Sequence, residues 1–382
     1  MIEVQDILKL YGESYRNQYK GSISPGQHRV MHRIEMCRTA ALGGHLYRYD
    51  ECDHERISYN SCRDRHCPKC QFLKKEKWLE NRLNDFLPIN YFHVVFTVPA
   101  ELNSLILNNQ KIMYGLFFRC VSETLRELSL DTKYLGARIG FITVLHTWGQ
   151  NLSYHPHIHC IVTGGGLSDD NSTWVNSRNK FLFPVRVMGK LFRGKYIDYV
   201  KQEYTQETLK TNLLKSDFSR LIDSLYKKNW VVYSKPPYKR PETVFEYLAR
   251  YTHRIAISNH RIVAIKNDHV LFKWKDYSDN NKEKIMPLHA HEFIRRFLLH
   301  VLPKKFVKIR HFGLFGNRSR KRILETCRKI LKVSHATHMK SIESWKELLL
   351  RITGIDINSC PVCGKGTIIA VKKIEPSYCR GP

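Results

Sequence analysis

The segment HPHIHCIVTGGG, residues 155–166, is the most informative stretch of the sequence. Residues 157–163 predict a β-strand that three consecutive glycines close. Because alternate residues of a strand point to one face, His157 and His159 can bind one metal ion while Ile158 faces the core. A histidine pair on a strand can also be an ordinary polar stretch, but here apolar residues lead into the strand and glycines end it.

A metal site on this strand needs a third ligand besides the two imidazoles. Gln150, in the predicted turn before the strand, is the first candidate, and His146 and His155 are alternatives. Water would fill the remaining positions around a hard divalent ion such as Mg²⁺ or Mn²⁺. A set of histidines alone would favour zinc or manganese over magnesium.

The rest of the chain alternates between strand-like and helix-like patterns. Strands are predicted at 91–98 (YFHVVFTV) and 139–148 (IGFITVLHTW), and a β-hairpin at 261–274 turns around Asn267-Asp268. Helical spacing is present at 72–87, 101–130 and 289–301, and another helix is predicted to begin near Pro241. The span 167–240 mixes short strands with a polar helix.

Two tyrosines in the segment YLARY, residues 247–251, could supply a nucleophile. Tyr247 and Tyr251 are four residues apart on a predicted helix, so both hydroxyls lie on one face. The same spacing, with Val244 and Leu248, fits a core-facing stripe, so packing is the alternative. A phenol can attack phosphorus when a metal withdraws charge from the phosphate. Basic groups that could contact phosphate lie around this segment: Arg250, His253, Arg254, His260 and Arg261.

A cysteine cluster near the N-terminus predicts a structural zinc site. Four thiols follow the pattern C-x9-C-x4-C-x2-C, with His45 and His66 as alternative ligands: Cys52, Cys62, Cys67 and Cys70. Nearby basic residues, including Arg63, Arg65 and Lys74, suggest contact with phosphates, although such a run can also be a solvated face. The segment CPVCGKG at 360–366 is half of another zinc ribbon, with Cys379 as a third ligand and no clear fourth.

The charge balance predicts a polyanionic partner. Lys and Arg number 63 and Asp and Glu 35, a formal net charge of +28 in 382 residues. Nucleic acid is the first candidate for such a chain. Hydrophobic residues make up 42%, which excludes a mostly disordered chain. No apolar run approaches the ~20 residues needed to span a bilayer, and the first residues lack a signal-peptide pattern, so a cytoplasmic protein without membrane contact is expected.

Several blocks in order resemble one protein family. They include CRTAALGGH (37–45), ISYNSCRDRHCPKCQ (57–71), VLHTWGQNL (144–152), the HPHIH segment, YLARYTHRIAISNHR (247–261) and IRHFGLFGNR (309–318). Together they resemble the two-tyrosine, His-hydrophobic-His transposases of the insertion-sequence ninety-one type, which act by rolling-circle transposition. The resemblance extends from about residue 29 to about residue 320.

This resemblance implies an α+β fold, in which a small zinc-binding domain (1–90) precedes a catalytic domain (91–325) and a basic C-terminal tail (326–382). The catalytic domain would have the ferredoxin-like nicking fold, an antiparallel sheet flanked by helices. His157 and His159 would hold Mg²⁺ or Mn²⁺ at the scissile phosphate of single-stranded DNA. Tyr247 or Tyr251 would attack it to form a 5′-phosphotyrosine, and the other tyrosine would serve a second strand transfer.

The implied partners are the single-stranded ends of a mobile element and its target DNA in a bacterial, nucleoid-associated setting, and a homo-oligomer is left open. No nucleotide cofactor is needed, and the chain contains no phosphate-binding loop motif. One departure is Tyr49, which stands where the family commonly has the first cysteine of a C-x-x-C pair ending at Cys52. Three alternatives are a relaxase or replication initiator, a zinc-ribbon regulator without catalysis, and a metallohydrolase.

Overall fold

The computed structural model describes residues 1–71, 78, 85–178, 181–235, 256–333, 344–354 and 356–377. Among these residues no helix has the length and apolar character needed to cross a membrane. The predicted helices at 72–87 and near Pro241 fall largely or wholly outside the described residues.

The described chain contains nine α-helices and thirteen strands. The helices are α1 (Val4–Gln18), α2 (Pro25–Glu35), α3 (Asn103–Asn108), α4 (Gln110–Leu130), α5 (Val185–Thr205), α6 (Lys215–Lys227), α7 (Ala290–Leu298), α8 (Arg320–Ile330) and α9 (Trp345–Thr353). The strands are β1 (Gly44–Tyr49), β2 (Glu55–Tyr59), β3 (Tyr91–Thr97), β4 (Gly140–Trp148), β5 (Tyr154–Thr163), β6 (Gly165–Leu167), β7 (Trp174–Asn176), β8 (Val232–Ser234), β9 (Ile262–Lys266), β10 (His269–Asp276), β11 (Lys282–His289), β12 (Ile309–Gly313) and β13 (Ile368–Ile374).

The chain divides into two compact units, each built from separate stretches of sequence. Unit 1 comprises residues 1–77, 257–301 and 337–382, and unit 2 comprises residues 78–256 and 302–336. This grouping differs from the three consecutive domains expected from the sequence, because the hairpin region 257–301 and the C-terminal region belong with the N-terminal residues.

Unit 2 is organised around a five-stranded sheet of order β12-β4-β5-β3-β8. Every neighbouring pair in it is antiparallel. One face packs against α3, α4, α5 and α6 in a large apolar core, in which Phe192 contacts Phe96, Phe117 and Trp230. Burying each such ring stabilises the fold by about 1.5–3 kcal/mol. The expected antiparallel sheet flanked by helices is therefore confirmed.

The opposite face of this sheet is covered by a smaller apolar cluster. Ile142 of β4 and Ile161 of β5 pack there with Leu324 and Cys327 of α8. Strand alternation produces the two core clusters: Phe141 precedes Ile142 and Cys160 precedes Ile161, and both point to the opposite face, into the helical core. Farther along this face the strands carry histidines next to the apolar residues Val95 and Val144.

Two glycines allow close backbone approach at the ends of these strands. Gly313 ends β12 with φ +59°, and a Cβ there would lie 1.9 Å from the carbonyl oxygen of Ile139. Gly164 follows β5, and a Cβ there would lie 2.7 Å from the carbonyl oxygen of Asn90. Side chains at these positions would separate the paired strands, which explains the glycines that close β5.

Unit 1 contains two three-stranded sheets, β13-β1-β2 and β11-β10-β9, together with α1, α2, α7 and α9. Helix α2 begins with a capping box: the Ser24 side chain accepts a hydrogen bond from the Gln27 amide, and Pro25 occupies the first turn. The predicted hairpin at 261–274 is confirmed, with Asn267 and Asp268 at φ +47° and +60° in its turn.

Candidate functional site

Three histidines of unit 2 lie together on the sheet face opposite the helical core. His157 and His159 are on β5, and His146 of β4 is the direct cross-strand partner of His157. A ligand atom from each of the three lies within 4.8 Å of the others. Alternation along the strands explains this position: each histidine is an even number of residues from Ile142 on β4 or Ile161 on β5, so it points to the same face.

Hydrogen bonds orient two of these imidazoles. Nδ1 of His157 lies 2.7 Å from the carbonyl oxygen of His155. Because a carbonyl only accepts, that nitrogen carries the proton and the lone pair of the neutral ring is on Nε2. Nδ1 of His159 lies 2.9 Å from Nε2 of His93 on the neighbouring strand β3. His159 can therefore coordinate a metal through Nε2 when its Nδ1 donates to His93.

His93 is suited to the accepting role because it stays neutral. Its side chain is 2% exposed. Burial, reinforced by the charges of Lys235 and His157, lowers the pKa of His93 to about 3. A neutral imidazole offers one nitrogen as an acceptor, and Nε2 of His93, which faces His159, is that acceptor in the tautomer protonated at Nδ1. In that tautomer His93 would orient His159 toward an ion held by the three histidines.

The candidates for the third ligand occupy different places around this group. His146 is buried and stacks on Trp148 with ring centroids 4.5 Å apart. Gln150 lies in the turn after β4 and is half-buried. His155 is exposed, its backbone carbonyl contacts Nδ1 of His157, and the centroids of the two rings are 5.2 Å apart. The structure thus brings His146 to the pair, whereas Gln150 and His155 stay predictions.

The three histidines fit a divalent ion by their chemistry. Neutral imidazoles bind zinc and other borderline ions and also accept the harder Mn²⁺, and a face of three such nitrogens leaves coordination positions for water or a phosphate oxygen. Metal-binding histidines usually donate their other ring N–H to an acceptor, and His93 and the His155 carbonyl are placed to be such acceptors. The three histidines therefore fit a divalent metal ion in donor type, and His157 and His159 also fit it in orientation.

The predicted nucleophiles Tyr247 and Tyr251 lie outside the described residues, as do the predicted DNA contacts Lys74, Arg250, His253 and Arg254. The remaining predicted DNA contacts belong to unit 1. Arg63 is exposed, Arg65 is half-buried, and Arg261 donates from Nε to the carbonyl oxygen of Lys273 at 2.7 Å on its own hairpin.

A four-cysteine cluster lies in unit 1. Cys37 and Cys62 each have Sγ 3.6 Å from Sγ of Cys70, and Cys67 lies 3.7 Å from Cys37. Four sulfurs bound to one zinc at about 2.3 Å in a tetrahedron lie ~3.8 Å apart, close to these separations, whereas a disulfide is about 2.05 Å long. Hydrogen bonds from the neighbouring thiols, first from Cys37, lower the pKa of Cys70.

The membership of this cluster corrects the predicted zinc set. Cys62, Cys67 and Cys70 come together as predicted, but the fourth thiol is Cys37 and not Cys52. Cys52 belongs to a different group. Of the two alternative ligands, His45 is exposed on β1, and the His66 ring lies 2.9 Å from a carboxylate oxygen of Asp64. Neither belongs to a thiol group within the described part of the chain.

Cys37 and His93 are the residues that the sequence reasoning missed. Cys37 lies 25 residues before Cys62, outside any compact C-x-x-C pattern, and only the fold after α2 brings it close. The available signal is its place two residues after α2, as the first residue of the CRTAALGGH block. His93 could have been found from strand pairing, since it is in the middle of an apolar strand where an isolated polar side chain needs a partner.

Comparisons with known proteins agree on one family. A family model described as "Putative transposase" matches residues 140–322, and one described as "Transposase zinc-binding domain" matches residues 7–98. The chain is 45% identical to "Putative transposase y4qJ" of Sinorhizobium fredii, over 97% of this chain and 95% of that protein. It is 29% identical to the "Transposase for insertion sequence element IS801" of Pseudomonas savastanoi pv. phaseolicola, over 74% of this chain and 68% of that protein. No solved structure matches the chain.

Proposed function

This chain belongs to the family of IS91-type transposases with a zinc-binding domain, and from that premise we propose its reaction. The protein nicks and rejoins single-stranded DNA through a phosphotyrosine intermediate. The family implies DNA as the partner, and the net charge of +28 suits a polyanion. The observation that carries the proposal is the group His146, His157 and His159 on one face of the unit 2 sheet.

In this proposal the three histidines, or the pair with Gln150, hold Mg²⁺ or Mn²⁺. When bound, the ion would withdraw charge from the scissile phosphate. His93 and the His155 carbonyl hold the imidazoles in the tautomers that coordinate through Nε2. Basic groups of the chain bind the DNA backbone and place the phosphate at the site.

Tyr247 or Tyr251 would be the nucleophile. The phenolic oxygen forms a bond to phosphorus and loses its proton to solvent or a neighbouring base, and the bond from phosphorus to the 3′-oxygen breaks. The 3′-oxygen takes up a proton and leaves as a hydroxyl, and the 5′-phosphate remains on the tyrosine. One phosphoester bond replaces another, so the bond energy is retained and rejoining needs no nucleotide cofactor. The second tyrosine would accept another strand.

The direct test is covalent attachment. Labelled single-stranded DNA carrying the element's ends is incubated with the protein and Mn²⁺ or Mg²⁺, and adducts that survive SDS are separated on a gel. Tyr247→Phe and Tyr251→Phe, singly and together, should reduce and then abolish the adduct. If the double variant still forms it, the assignment of the nucleophiles is wrong.

The same assay separates the alternatives. A zinc-ribbon regulator would bind DNA and give no cleavage, and a metallohydrolase would cut without attachment. A relaxase or replication initiator would form the adduct but would not join element ends to a target. His157→Ala with His159→Ala should remove cleavage while DNA affinity stays nearly unchanged, because phosphate contacts by basic groups carry most of the binding.

A further inference from the structure

A second group of thiols in unit 1 joins two distant parts of the sequence. Cys52 lies in the turn between β1 and β2, and Cys360 and Cys363 lie in the turn before β13. Ligand atoms of all three lie within 4.8 Å of one another, and Sγ of Cys52 is 3.4 Å from Sγ of Cys360. The two halves of this group are 308 residues apart in sequence.

The turn at 360–364 is shaped to present thiolates. The amide of Val362 donates to Sγ of Cys360 at 3.4 Å, and the amide of Gly364 donates to the Cys360 carbonyl at 2.9 Å. Gly364 has φ +70°, which a glycine adopts without strain.

Contacts that need no metal hold the two halves in register. β1 pairs with β13 along its length. Asp50 accepts a hydrogen bond from the Thr367 amide at 2.6 Å. Tyr49 is fully buried, and its hydroxyl donates to the carbonyl oxygen of Ile357 at 3.2 Å. The thiols therefore meet on a frame that the backbone and side chains already fix.

We propose that Cys52, Cys360 and Cys363 bind a second zinc ion, separate from the one held by the Cys37 cluster. Three thiolates are soft ligands that select zinc, and the 3.4 Å sulfur separation is far longer than the ~2.05 Å of a disulfide. The matched family regions, 7–98 and 140–322, do not include Cys360 or Cys363. The ion ties the C-terminal segment 356–377 to the β1–β2 turn.

The coordination shell contains at least these three thiolates. A fourth position takes water or another side chain, and Cys379 lies outside the described residues. Cys52 and Cys363 are exposed. Exposed thiols react readily with alkylating reagents unless they are bound to a metal, and this difference in reactivity provides the first test.

The zinc-loaded wild-type chain, kept reduced, is treated with iodoacetamide, and each cysteine is followed by peptide mass spectrometry. Cys52 and Cys363 should react slowly, and a zinc chelator should accelerate both at least tenfold. Fast labelling before the chelator is added would overturn the proposal. Protection that a reductant removes and a chelator does not would indicate a disulfide, which also overturns it.

The second test counts zinc. Elemental analysis should show one zinc fewer per chain in the double variant Cys360→Ser, Cys363→Ser than in the wild type. Cys327→Ala is the matched control, because that thiol is buried and belongs to neither group. An unchanged zinc content in the double variant refutes the site. Circular dichroism checks the fold, and if the variant does not fold, the labelling of the wild type still decides.

Discussion

His93 offers a test of how the fold supports the histidine site. The change is His93→Leu, which fills the space of the ring with an apolar side chain and removes its nitrogens. In the structure Nε2 of His93 lies 2.9 Å from Nδ1 of His159, and the His93 ring is almost fully buried. The variant leaves the Nδ1 hydrogen of His159 without this acceptor at a place that water reaches poorly.

The expected cost follows from that single contact. Losing the hydrogen-bond partner of a metal-binding histidine typically weakens metal affinity about 10–100-fold, which is about 1.4–2.7 kcal/mol. An unsatisfied buried donor costs about 1–3 kcal/mol, which agrees with this range. His93→Gln should recover part of the affinity, because its amide oxygen can accept from His159.

Mn²⁺ binding measured by calorimetry is the suitable readout. One equivalent of zinc per thiol group is added first, without excess, because thiolates bind zinc in preference to imidazoles and surplus zinc would occupy the histidines as well. His155→Ala is the matched control, because it removes an exposed neighbouring imidazole but keeps the carbonyl that holds His157. Its Mn²⁺ affinity should equal that of the wild type.

Two outcomes would refute this reasoning. If His93→Leu binds Mn²⁺ as tightly as the wild type, the hydrogen bond to His159 does not support the site. If His155→Ala weakens binding as much as His93→Leu, then the His155 ring is itself a ligand. A thermal melt of each variant separates a local loss of affinity from general unfolding.

Three further predictions concern other parts of the chain. Cys37→Ser should remove about one zinc per chain in elemental analysis and lower the stability of unit 1, because zinc binding contributes folding energy; retention of that zinc would restore Cys52 as the fourth ligand. Gly313→Ala should lower the free energy of unfolding by about 2–4 kcal/mol in urea titrations, because Gly313 has φ +59° and a Cβ there would meet Ile139. Gly115→Ala is the control: it lies in open space on α4 and should raise the free energy of unfolding by about 0.5–1 kcal/mol. Equal effects of the two substitutions would contradict the reasoning. Arg63→Ala should weaken DNA binding equally across sequences and reduce the slope of log affinity against log salt by about one; an unchanged slope would place Arg63 off the phosphate path.

The sheet of unit 2 could be predicted from the sequence because its signals are local. The strands at 91–98 and 139–148 are continuous apolar runs, and both appear within a residue or two as β3 and β4. The histidine spacing on β5 was readable for the same reason, since alternation fixes the face of a side chain once the strand is known. The alignment of β4 with β5 places His146 beside the pair, and the pattern of a single strand does not specify that alignment.

The cysteine groups could not be assigned from spacing alone. Close pairs such as Cys67 and Cys70 indicate a turn that binds metal, but they do not say which distant thiol completes the set. Cys37 and Cys52 are both near Cys62 in sequence, and the β1–β2 hairpin directs them to different groups. The pairing of β1 with β13 places Cys52 beside Cys360 and Cys363, and it joins residues more than 300 positions apart in sequence.

The pairing of β1 with β13 also sets the order in which unit 1 can be completed during synthesis. β1 is made early, and its partner leaves the ribosome only after the whole of unit 2 has been translated. Until then one edge of β1 has open amide and carbonyl groups, which can pair with other chains. A nascent or truncated polypeptide that stops before residue 368 should therefore depend on chaperones and aggregate more readily than the full-length chain.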